Sequence, residues 1–552
     1  MKKYLEQKIR ETLASLSLGG EIRITFERPR QVQHGDLTTN IAMLLAKPAG
    51  KNPRVLAQEI VGALRLDPDT VTRTEIAGPG FINFHFADSF FTQRLGIVLE
   101  QEERFGRSND GNGKKTQVEF VSANPTGPLS VGHGRQAAIG DTIATLLEWT
   151  GHTVTREYYY NNAGRQMRKL AESTYARYRQ LTDPGYPFPE DGYQGEYIRE
   201  IAESLSKEYG NGLVSLDQEK ALQVCQAASE KTLFEAIKKV LARMGVRFDV
   251  FFNEDSLYRD GTINEVVEAF RKKGLAYDKD GAVWLKTTAL GLDQDRVIVK
   301  STGEPTYRLP DIAYHRSKFQ RGFELIVDIF GADHIATIPD VLAGIEALGY
   351  DRQRVKVVIH QFVTLLRDGQ QVKMSKRAAN FVTLAELIDE AGPDAVRFFF
   401  VMRAISSHLE FDLNLAKEQS DKNPVYYLQY AHARIASILR FAESEGLLKP
   451  HDPASFKPAQ TRLLKEESEV ALAKLLLEFP EVVRSAAYGF EPHWLPAYLS
   501  DAATAFHKFY HEHRVVIPDP ALSLARLALC RCAQIVLGNG LKILGISAPE
   551  RM

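Results

Sequence analysis

Residues 119–135, EFVSANPTGPLSVGHGR, limit the fold more than any other stretch of the chain. Apolar residues typical of a strand run into a loop of small residues and prolines, and helical apolar spacing follows over residues 136–149. The first amides of a helix are unpaired and its dipole is positive there, so such a junction suits a nucleotide phosphate. Gly132 and Gly134 permit close approach, and His133 can donate a hydrogen bond. A purely structural turn has the same pattern, so both interpretations stay open at this point.

The composition indicates a globular protein of two to four domains, with 552 residues of which 44% are hydrophobic and 25% charged. Lysine and arginine number 69 against 70 acidic residues, so a polyanion must meet local basic patches. Cys225, Cys530 and Cys532 form neither a disulfide framework nor a metal-ligand spacing. No apolar run reaches membrane-spanning length. We therefore expect a cytoplasmic protein with no metal site and no membrane contact.

The first third of the chain is predicted to be an α/β unit. After an opening helix we expect a strand at 21–26, a helix at about 37–46 and another helix from Pro53. A strand pair, 72–77 and 80–86, is divided by the turn sequence Gly78-Pro79-Gly80. The polar, glycine-rich residues 104–115 mark the boundary, and a new domain should begin near Thr116.

The next part alternates between strand and helix patterns. Strands at 116–121 and 153–160, with helices at 134–150 and 164–179, predict a parallel sheet with crossover helices. A loop-like stretch and a helical stretch at 196–244 then predict a helical insertion. Further strands and helices are expected in the order strand 249–253, helix 261–273, strands 283–286, 296–300 and 325–330, helix 338–348 and strand 355–361. The sequence does not give the strand order.

Strand signals nearly disappear after Asp394, and the apolar spacing is helical from about Asn423 to the end. This predicts a helical C-terminal domain. Its first helix carries an aromatic and basic cluster that can stack on bases and hold phosphates: Tyr426, Tyr427, Tyr430, His432 and Arg434. An amphipathic core helix explains the same pattern.

A second loop, KMSKR at 373–377, follows a turn and precedes a predicted helix at 383–391. Lys373 and Lys376 are suited to a triphosphate, because point charges can follow the β- and γ-phosphates as charge builds up on them. Alone, the loop could be a solvated basic segment. Together with Gly132 and His133, far upstream across an α/β domain, it is a specific signal.

The two motifs together resemble the signature motifs of class I aminoacyl-tRNA synthetases, and the flanking sequence resembles arginyl-tRNA synthetase of the bacterial type from end to end. The segments that carry the resemblance are HGDLTTNIAM (34–43), IAGPGFINFHF (76–86), YQGEYIREIA (193–202), PTYRLPDIAYH (305–315), FGADH (330–334), NPVYYLQYAHARI (423–435) and GLKILGISAPERM (540–552). The implied fold is a Rossmann-type parallel-sheet catalytic domain with a helical insertion, an α+β N-terminal domain that contacts the tRNA elbow, and an all-α anticodon-binding domain. The expected ranges are 1–110 for the N-terminal domain, 111–393 for the catalytic domain, 394–422 for a connecting helical segment and 423–552 for the anticodon-binding domain.

The resemblance implies activation of L-arginine by ATP, accompanied by Mg²⁺, and transfer of the arginyl group to the 3′-terminal adenosine of arginine tRNA by a monomeric enzyme. The implied catalytic residues are His133, Lys373 and Lys376. The implied ATP contacts are Ser130, Gly132, His133, Gly331, Asp333, His334, Met374 and Ser375. The implied arginine contacts are Asn83, Glu119, Asn124, Tyr307 and Asp311, and the implied tRNA contacts are Asn423, Gln429 and Tyr430.

The chemistry of these residues agrees with the implied substrate, because a guanidinium offers five donors in a planar fork that fits carboxylates. Tyr307 and Asp311 are four residues apart and would face one way on a helical turn.

Two positions depart from the family pattern. Ser130 stands where the first motif normally begins with histidine, and Asn162 stands where an acidic residue is usual. Serine can donate a hydrogen bond but cannot carry positive charge. An alternative is therefore a synthetase-like tRNA-binding protein with impaired adenylation. A third interpretation, another nucleotidyltransferase on the same sheet, accounts for the two phosphate motifs but not for the terminal domains.

Overall fold

The computed structural model describes residues 1–18, 22–29, 31–372, 382–449, 456 and 458–552. The strands are β1 (Leu37–Thr39), β2 (Val71–Ala77), β3 (Phe81–Phe86), β4 (Lys115–Glu119), β5 (Thr153–Tyr160), β6 (Val250–Asn253), β7 (Ala276–Lys279), β8 (Ala282–Leu285), β9 (Arg296–Val299), β10 (Leu325–Gly331), β11 (Val355–His360), β12 (Val363–Arg367), β13 (Gln370–Gln371) and β14 (Leu409–Asp412). The helices are α1 (Lys2–Ser15), α2 (Ile41–Ala46), α3 (Pro53–Ala63), α4 (Asp88–Gln101), α5 (Val131–Trp149), α6 (Gly164–Gln180), α7 (Glu196–Tyr209), α8 (Gln218–Arg243), α9 (Asp255–Arg259), α10 (Thr262–Lys272), α11 (Arg308–Gln320), α12 (Ile338–Leu348), α13 (Leu384–Ala391), α14 (Pro393–Val401), α15 (Leu413–Lys417), α16 (Pro424–Ser444), α17 (Glu467–Leu476), α18 (Phe479–Gly489), α19 (Trp494–Glu512) and α20 (Pro520–Leu544).

The central sheet has five parallel strands in the order β11-β10-β4-β5-β6. Its middle strand, β4, is buried at Val118, and Phe120 directly after it is also buried. Helix α5 lies close to β4, since a Cβ added at Gly140 would come within 2.2 Å of the Phe120 ring. The predicted strand, loop and helix around the first motif are confirmed, and the carboxyl ends of β4 and β10 meet at one edge of the sheet.

The insertion between β5 and β6 is helical, as the sequence predicts. Helices α6, α7 and α8 pack around a core of their own that includes Leu170, Ile201 and Leu222. Helix α8 is 26 residues long and its carboxyl end returns to the central core through Met244.

The N-terminal region differs from the sequence prediction in two places. Among the described residues of the strand expected at 21–26, none is in a strand, and Glu27 makes an isolated bridge with Thr38. The helix expected at 37–46 begins as β1, which pairs with β3, and becomes helical only at Ile41. The β-branched Thr38 and Thr39 favour pairing with the neighbouring strand over a helical turn.

The strands expected near 283–286 and 296–300 exist, but as β8 and β9 of a separate antiparallel sheet with β7. The segment 394–422, expected to be helical, contains the strand β14, which pairs in parallel with β12. The alternation in β14 is too short to stand out in the sequence, with Leu409 and Phe411 buried and Glu410 exposed.

The C-terminal region is helical, as predicted. Its last helix, α20, is long and apolar enough to cross a membrane by length and composition, so the expectation that no apolar run reaches that length was wrong. In the fold, 72% of its most apolar window is buried inside the protein. Cys530 and Cys532 lie in this buried part. Helix α4 contributes Leu95 to the core that α20 shares with the central sheet, so this helix joins the N-terminal region to the rest.

Candidate active site

A cavity of about 1000 Å³ opens at the carboxyl ends of β4, β10 and β11, between the start of α5 and helix α11. It brings together ten of the residues that the sequence singles out, which lie far apart along the chain. These residues are Glu119, Asn124, Ser130, Gly132, His133, Tyr307, Asp311, Gly331, Asp333 and His334.

Three buried carboxylates stand side by side across the sheet beneath this cavity. Glu119 on β4 pairs in register with Asp328 on β10 and with Glu157 on β5. All three are nearly inaccessible, with exposures of 3%, 0% and 0% respectively. Like charges on neighbouring strands destabilise a sheet, and buried charges need partners. This carboxylate row therefore demands cations from another element.

Helix α11 and the residue that follows it supply those cations. Lys318 Nζ lies 2.6 Å from both Glu119 Oε2 and Asp328 Oδ1, and it is fully buried. His315 Nε2 lies 2.8 Å from Asp328 Oδ2, while its Nδ1 lies 2.7 Å from the Asp311 carbonyl oxygen. Both ring nitrogens thus face oxygen acceptors, an arrangement that a doubly protonated imidazolium satisfies.

The third carboxylate is neutralised in the same way. Arg321 donates to Glu157 through both terminal nitrogens, at 2.6 and 2.8 Å. The Tyr314 hydroxyl donates to the same carboxylate at 2.6 Å. One face of α11 therefore holds the carboxylate row in place.

The buried carboxyl groups at this site differ in the direction of their pKa shifts. Burial acts to raise the pKa of Asp328, but Lys318 and His315 outweigh it and hold that pKa well below its ordinary value. Burial raises the pKa of Glu119 above its ordinary value, although Lys318 opposes the shift. Burial also raises the pKa of Asp311, which lines the cavity, to about 7. A cation bound next to Asp311 would therefore favour the ionised form of its carboxyl group.

The backbone turns sharply after Glu119. Val121 and Ser122 adopt positive φ values of 68° and 43°, which is rare for residues other than glycine and a clear outlier for a β-branched valine. The Ser122 hydroxyl donates to Glu119 Oε1 at 2.9 Å and accepts from the Tyr159 amide at 3.1 Å. The strained turn thus holds the Glu119 carboxylate and opens the space above it.

At the other end of the cavity, Ser130 is the N-cap of α5. Its backbone N–H donates to His133 Nδ1 at 3.1 Å, and its hydroxyl lies 3.2 Å from the same nitrogen. A neutral His133 that accepts at Nδ1 carries its proton on Nε2, so it can donate from that nitrogen. Ser130 therefore fixes the orientation of His133.

The residues of the second motif, Lys373, Met374, Ser375 and Lys376, lie outside the described residues. The residues that flank them are placed. Thr383 bridges to Ser130 in antiparallel fashion, and Leu384 N donates to the Leu129 carbonyl oxygen at 2.8 Å. The described chain thus resumes after residue 381 beside the start of α5.

Several predicted residues have internal partners. Asn124 accepts from the Asn161 amide at 2.9 Å and donates to Gln166 at 3.0 Å. Asn162, the second departure from the family pattern, donates to Glu230 of α8 at 2.9 Å and so ties the loop after β5 to the helical insertion. Asp333 and His334 remain open, with side-chain exposures of 71% and 58%.

Four predicted residues lie away from this cavity. Asn83 is buried within β3. Asn423 caps α16, accepting from Val425 N and donating to the carbonyl oxygens of Ala416 and Glu418. Gln429 donates to Asp394 at 2.9 Å and to Ser547.

Tyr430 is the most open of the four, with 37% of its surface exposed. It stacks on Tyr426 with ring centres 6.3 Å apart and on His507 at 6.0 Å, and the Arg434 guanidinium lies 5.4 Å above its ring.

Sequence reasoning missed the partners of the carboxylate row and one further acid, Glu254. The Glu254 carboxylate lines the cavity and accepts from the Tyr159 hydroxyl at 2.7 Å and from the Tyr258 hydroxyl at 3.3 Å. Two signals were available. Asp328 is a lone acid in the apolar strand LIVDIFG, and Lys318 lies seven residues after Asp311, on the same helix face.

We predict that Lys318→Met destabilises the protein by about 3–5 kcal/mol, because it leaves Glu119 and Asp328 buried without their shared cation. The matched control is Lys300→Met, which removes an ion pair with Glu304 whose side chains are 53% and 69% exposed. The control should change stability by less than about 0.5 kcal/mol. Thermal midpoints and urea titrations of both variants measure the difference, and equal small shifts would contradict the role given to Lys318.

Comparison with known proteins agrees with this geometry. Three family models match consecutive parts of the chain: the arginyl tRNA synthetase N terminal domain over residues 3–86, the catalytic domain of tRNA synthetases class I (R) over 94–401, and the DALR anticodon binding domain over 428–552.

Relatives of full length are similar as well. An arginine–tRNA ligase of Desulfotalea psychrophila is 52% identical, with 100% of this chain and 99% of that protein covered. One of Salinibacter ruber is 48% identical, with 100% of both chains covered. The solved arginyl-tRNA synthetase of Thermus thermophilus shares the fold, with a TM-score of 0.77, 23% identity and 100% of each chain covered. The chain therefore belongs to the arginyl-tRNA synthetase family of the class I aminoacyl-tRNA synthetases.

Proposed function

We propose that this protein is an arginine–tRNA ligase, which uses ATP to activate L-arginine and transfers the arginyl group to the 3′-terminal adenosine of arginine tRNA. The observation that carries the proposal is a single cavity with acids at one end and the start of α5, with His133, at the other. A cationic amino acid and a nucleotide phosphate can meet there. The alternative of a binding protein with impaired adenylation is not supported, since the full-length relatives are named as ligases.

At the acidic end, we assign Asp311, Glu254 and Tyr307 to the guanidinium. Two carboxylates and a hydroxyl on neighbouring walls of the cavity match the planar donor fork of arginine. Glu119 and Asn124 would hold the rest of the amino acid nearer the strand ends. The position of Asn83 in β3 gives it no such support.

At the nucleotide end, the positive end of the α5 dipole and the Nε2 proton of His133 favour the phosphates. Ser130 and Gly132 line the same wall, while Gly331, Asp333 and His334 form the wall at the end of β10 and are assigned to the rest of ATP. The resemblance adds Lys373, Met374, Ser375 and Lys376 at the β- and γ-phosphates.

Magnesium would arrive with the nucleotide. Among the described residues, no group of three or more histidine, cysteine or acidic side chains is arranged to hold a metal ion. Phosphate oxygens and water are ordinary ligands of Mg²⁺, so the ion is expected to be held mainly by ATP and to offset phosphate charge.

The reaction then needs positioning and charge stabilisation rather than a covalent nucleophile of the protein. In the first step the arginine carboxylate attacks the α-phosphorus, a new O–P bond forms, and pyrophosphate leaves. In the second step a terminal ribose hydroxyl of tRNA attacks the activated carbonyl carbon, its proton is lost, and AMP leaves. His133 and the α5 amides would stabilise negative charge on the phosphates in the first step.

For tRNA, we assign Tyr430 to base stacking, supported by its exposed ring and the neighbouring Arg434 guanidinium. Asn423 and Gln429 are weaker candidates, since their side-chain amides already serve internal hydrogen bonds. We propose further that the protein is a cytoplasmic monomer. The proposed domains remain 1–110, 111–393, 394–422 and 423–552.

Arginine-dependent exchange of pyrophosphate into ATP, measured in the presence of purified arginine tRNA and followed by charging of that tRNA, tests the proposed function. We expect both reactions, with the exchange depending on arginine and not on lysine. Tight tRNA binding without either reaction would restore the rejected alternative of an impaired binding protein.

We predict that arginine binds more tightly as the pH rises to about 7. The free Asp311 carboxyl has a raised pKa of about 7, and a bound guanidinium favours its ionised form, so below this pH arginine binding must displace a proton. The Kd should fall by up to about tenfold per pH unit below 7 and level off above it. Asp311→Asn should remove this dependence and weaken binding at pH 8 by more than tenfold, about 1.4 kcal/mol.

The control for this titration is Asp278→Asn. Asp278 is an exposed residue of β7, in the small antiparallel sheet, and its carboxylate pairs with Arg271 of α10. The substitution should leave the Kd and its pH dependence unchanged. Calorimetry in two buffers of different ionisation enthalpy measures the proton released. An unaltered pH profile in Asp311→Asn would remove Asp311 from the guanidinium site.

A further inference from the structure

His315 is a buried histidine of α11 that lines the cavity and links it to the carboxylate row. It is only 6% exposed, and its ring lies between two oxygen acceptors. Nε2 lies 2.8 Å from Asp328 Oδ2, and Nδ1 lies 2.7 Å from the Asp311 carbonyl oxygen. The imidazole therefore joins β10 to the residue that the proposed function places against the guanidinium.

These two contacts determine the charge of the ring. A carbonyl oxygen cannot donate a hydrogen bond. Asp328 Oδ1 lies 2.6 Å from the Lys318 ammonium, which keeps this carboxylate ionised, so it cannot donate either. A neutral imidazole would turn the lone pair of one nitrogen towards one of these oxygens at a hydrogen-bonding distance. Only an imidazolium donates to both, so His315 carries a positive charge.

The charged and titratable groups around the ring come from several elements. They are Asp311, Tyr314 and Lys318 of α11, Glu119 of β4, Tyr159 of β5, Asp328 of β10, and Glu254 directly before α9. Burial raises the pKa of both tyrosines, so they stay neutral. Lys318 is bound between Glu119 and Asp328. His315 therefore brings a positive charge to the cavity side of the row, next to the backbone of Asp311.

The Asp311 carboxyl depends on this charge, because its other surroundings disfavour ionisation. Burial raises its pKa to about 7, and the negative charges of Glu119 and Glu254 act in the same direction. His315 and, more weakly, Lys318 oppose the shift. Loss of the charge on His315 would raise the pKa of Asp311 further and leave its carboxyl mostly protonated at neutral pH.

We propose that His315 is a positioning residue for arginine, an imidazolium that keeps the Asp311 carboxylate ionised and holds the first turn of α11 in place. It acts on the substrate through Asp311 rather than by direct contact. The inference rests on the proposed function, because it takes arginine to bind at Asp311. The affinity for arginine at neutral pH then depends on the charge of His315.

Calorimetric Kd values for arginine across a range of pH test this role in His315→Gln. The glutamine amide keeps a donor for Asp328 but carries no charge, so the pKa of Asp311 should rise by about one pH unit. The Kd should then exceed that of the unaltered protein by about tenfold at pH 6 and by less than about twofold at pH 9. The titration of free arginine cancels, because the two proteins are compared at each pH.

His315→Lys separates the charge from the shape of the side chain. It keeps a positive charge beside Asp328 but lacks the ring, so any loss of affinity should be the same factor at every pH. A merely structural role would give this pH-independent pattern in both variants. A pH-independent loss of affinity in His315→Gln, or no loss at all, would therefore overturn the proposal.

The matched control is His152→Gln. His152 is also buried, at 8% exposure, and its Nδ1 lies 2.8 Å from the Thr116 hydroxyl. It directly precedes β5, at the amino ends of the parallel strands, whereas the cavity lies at their carboxyl ends. The control should leave the Kd for arginine unchanged at every pH.

Nuclear magnetic resonance of histidine labelled with ¹⁵N in the ring tests the charge itself, and it decides the matter if His315→Gln does not fold. At a pH of about 7.5, where an ordinary histidine is mostly neutral, the unaltered protein should show a ring with protons on both nitrogens. That signal should be absent from His315→Lys. A neutral ring at His315 would overturn the proposal.

Failure of the unaltered protein to bind arginine at any pH would instead count against the proposed function. The two failures are therefore distinguishable.

Discussion

The position of helix α11 depends on three carboxylates that lie in register on adjacent parallel strands. They belong to Asp328, Glu119 and Glu157. Buried side by side, they would repel one another and destabilise the sheet. Helix α11 must therefore lie on this face with Lys318 and His315 turned inward, and Arg321 must follow it. The position of the helix is thus dictated by electrostatic need as well as by apolar packing.

The same arrangement shapes the proposed substrate site. Asp311, His315 and Lys318 are spaced by four and three residues, so they share one face of α11. Once Lys318 and His315 are bound to the carboxylate row, Asp311 is carried to the wall of the cavity, where burial raises its pKa to about 7. The cations that neutralise the row are paired within it, and none of the described residues that line the cavity is a lysine or an arginine. The proposed cationic substrate would supply positive charge next to Asp311.

Much of the architecture could be predicted from the sequence. The strand and helix that flank the first motif, the helical insertion and the helical C-terminal region follow from long periodic patterns. The errors fall on short elements, where pairing decides the outcome: β1 replaces the start of a predicted helix, β8 and β9 leave the parallel sheet, and β14 interrupts a helical segment. These strands are three or four residues long, which is too short for periodicity to show which neighbour a strand will have.

Only part of the candidate site could be predicted, because the rest also depends on which strands are neighbours. Motif residues such as Glu119, Asp311 and His133 could be named because the resemblance places them. The partners of the carboxylate row could not, because they depend on strand order and register, which the sequence does not give. At Ser130 the structure adds a role that the sequence did not suggest. The absence of an imidazole at this position suggested impaired adenylation, but the backbone N–H and the hydroxyl of Ser130 both contact His133 Nδ1. Serine therefore retains a positioning role there.

The central claim is that the cavity selects its amino acid by the positive charge of a guanidinium. It is tested most directly by comparing arginine with citrulline, which has the same length and shape but a neutral urea group, in the activation reaction. The account predicts that kcat/KM for pyrophosphate exchange is lower with citrulline by a factor on the order of 10³ or more, since the acids facing the urea would lose their charged partner. Activation of citrulline within about tenfold of arginine would contradict the account.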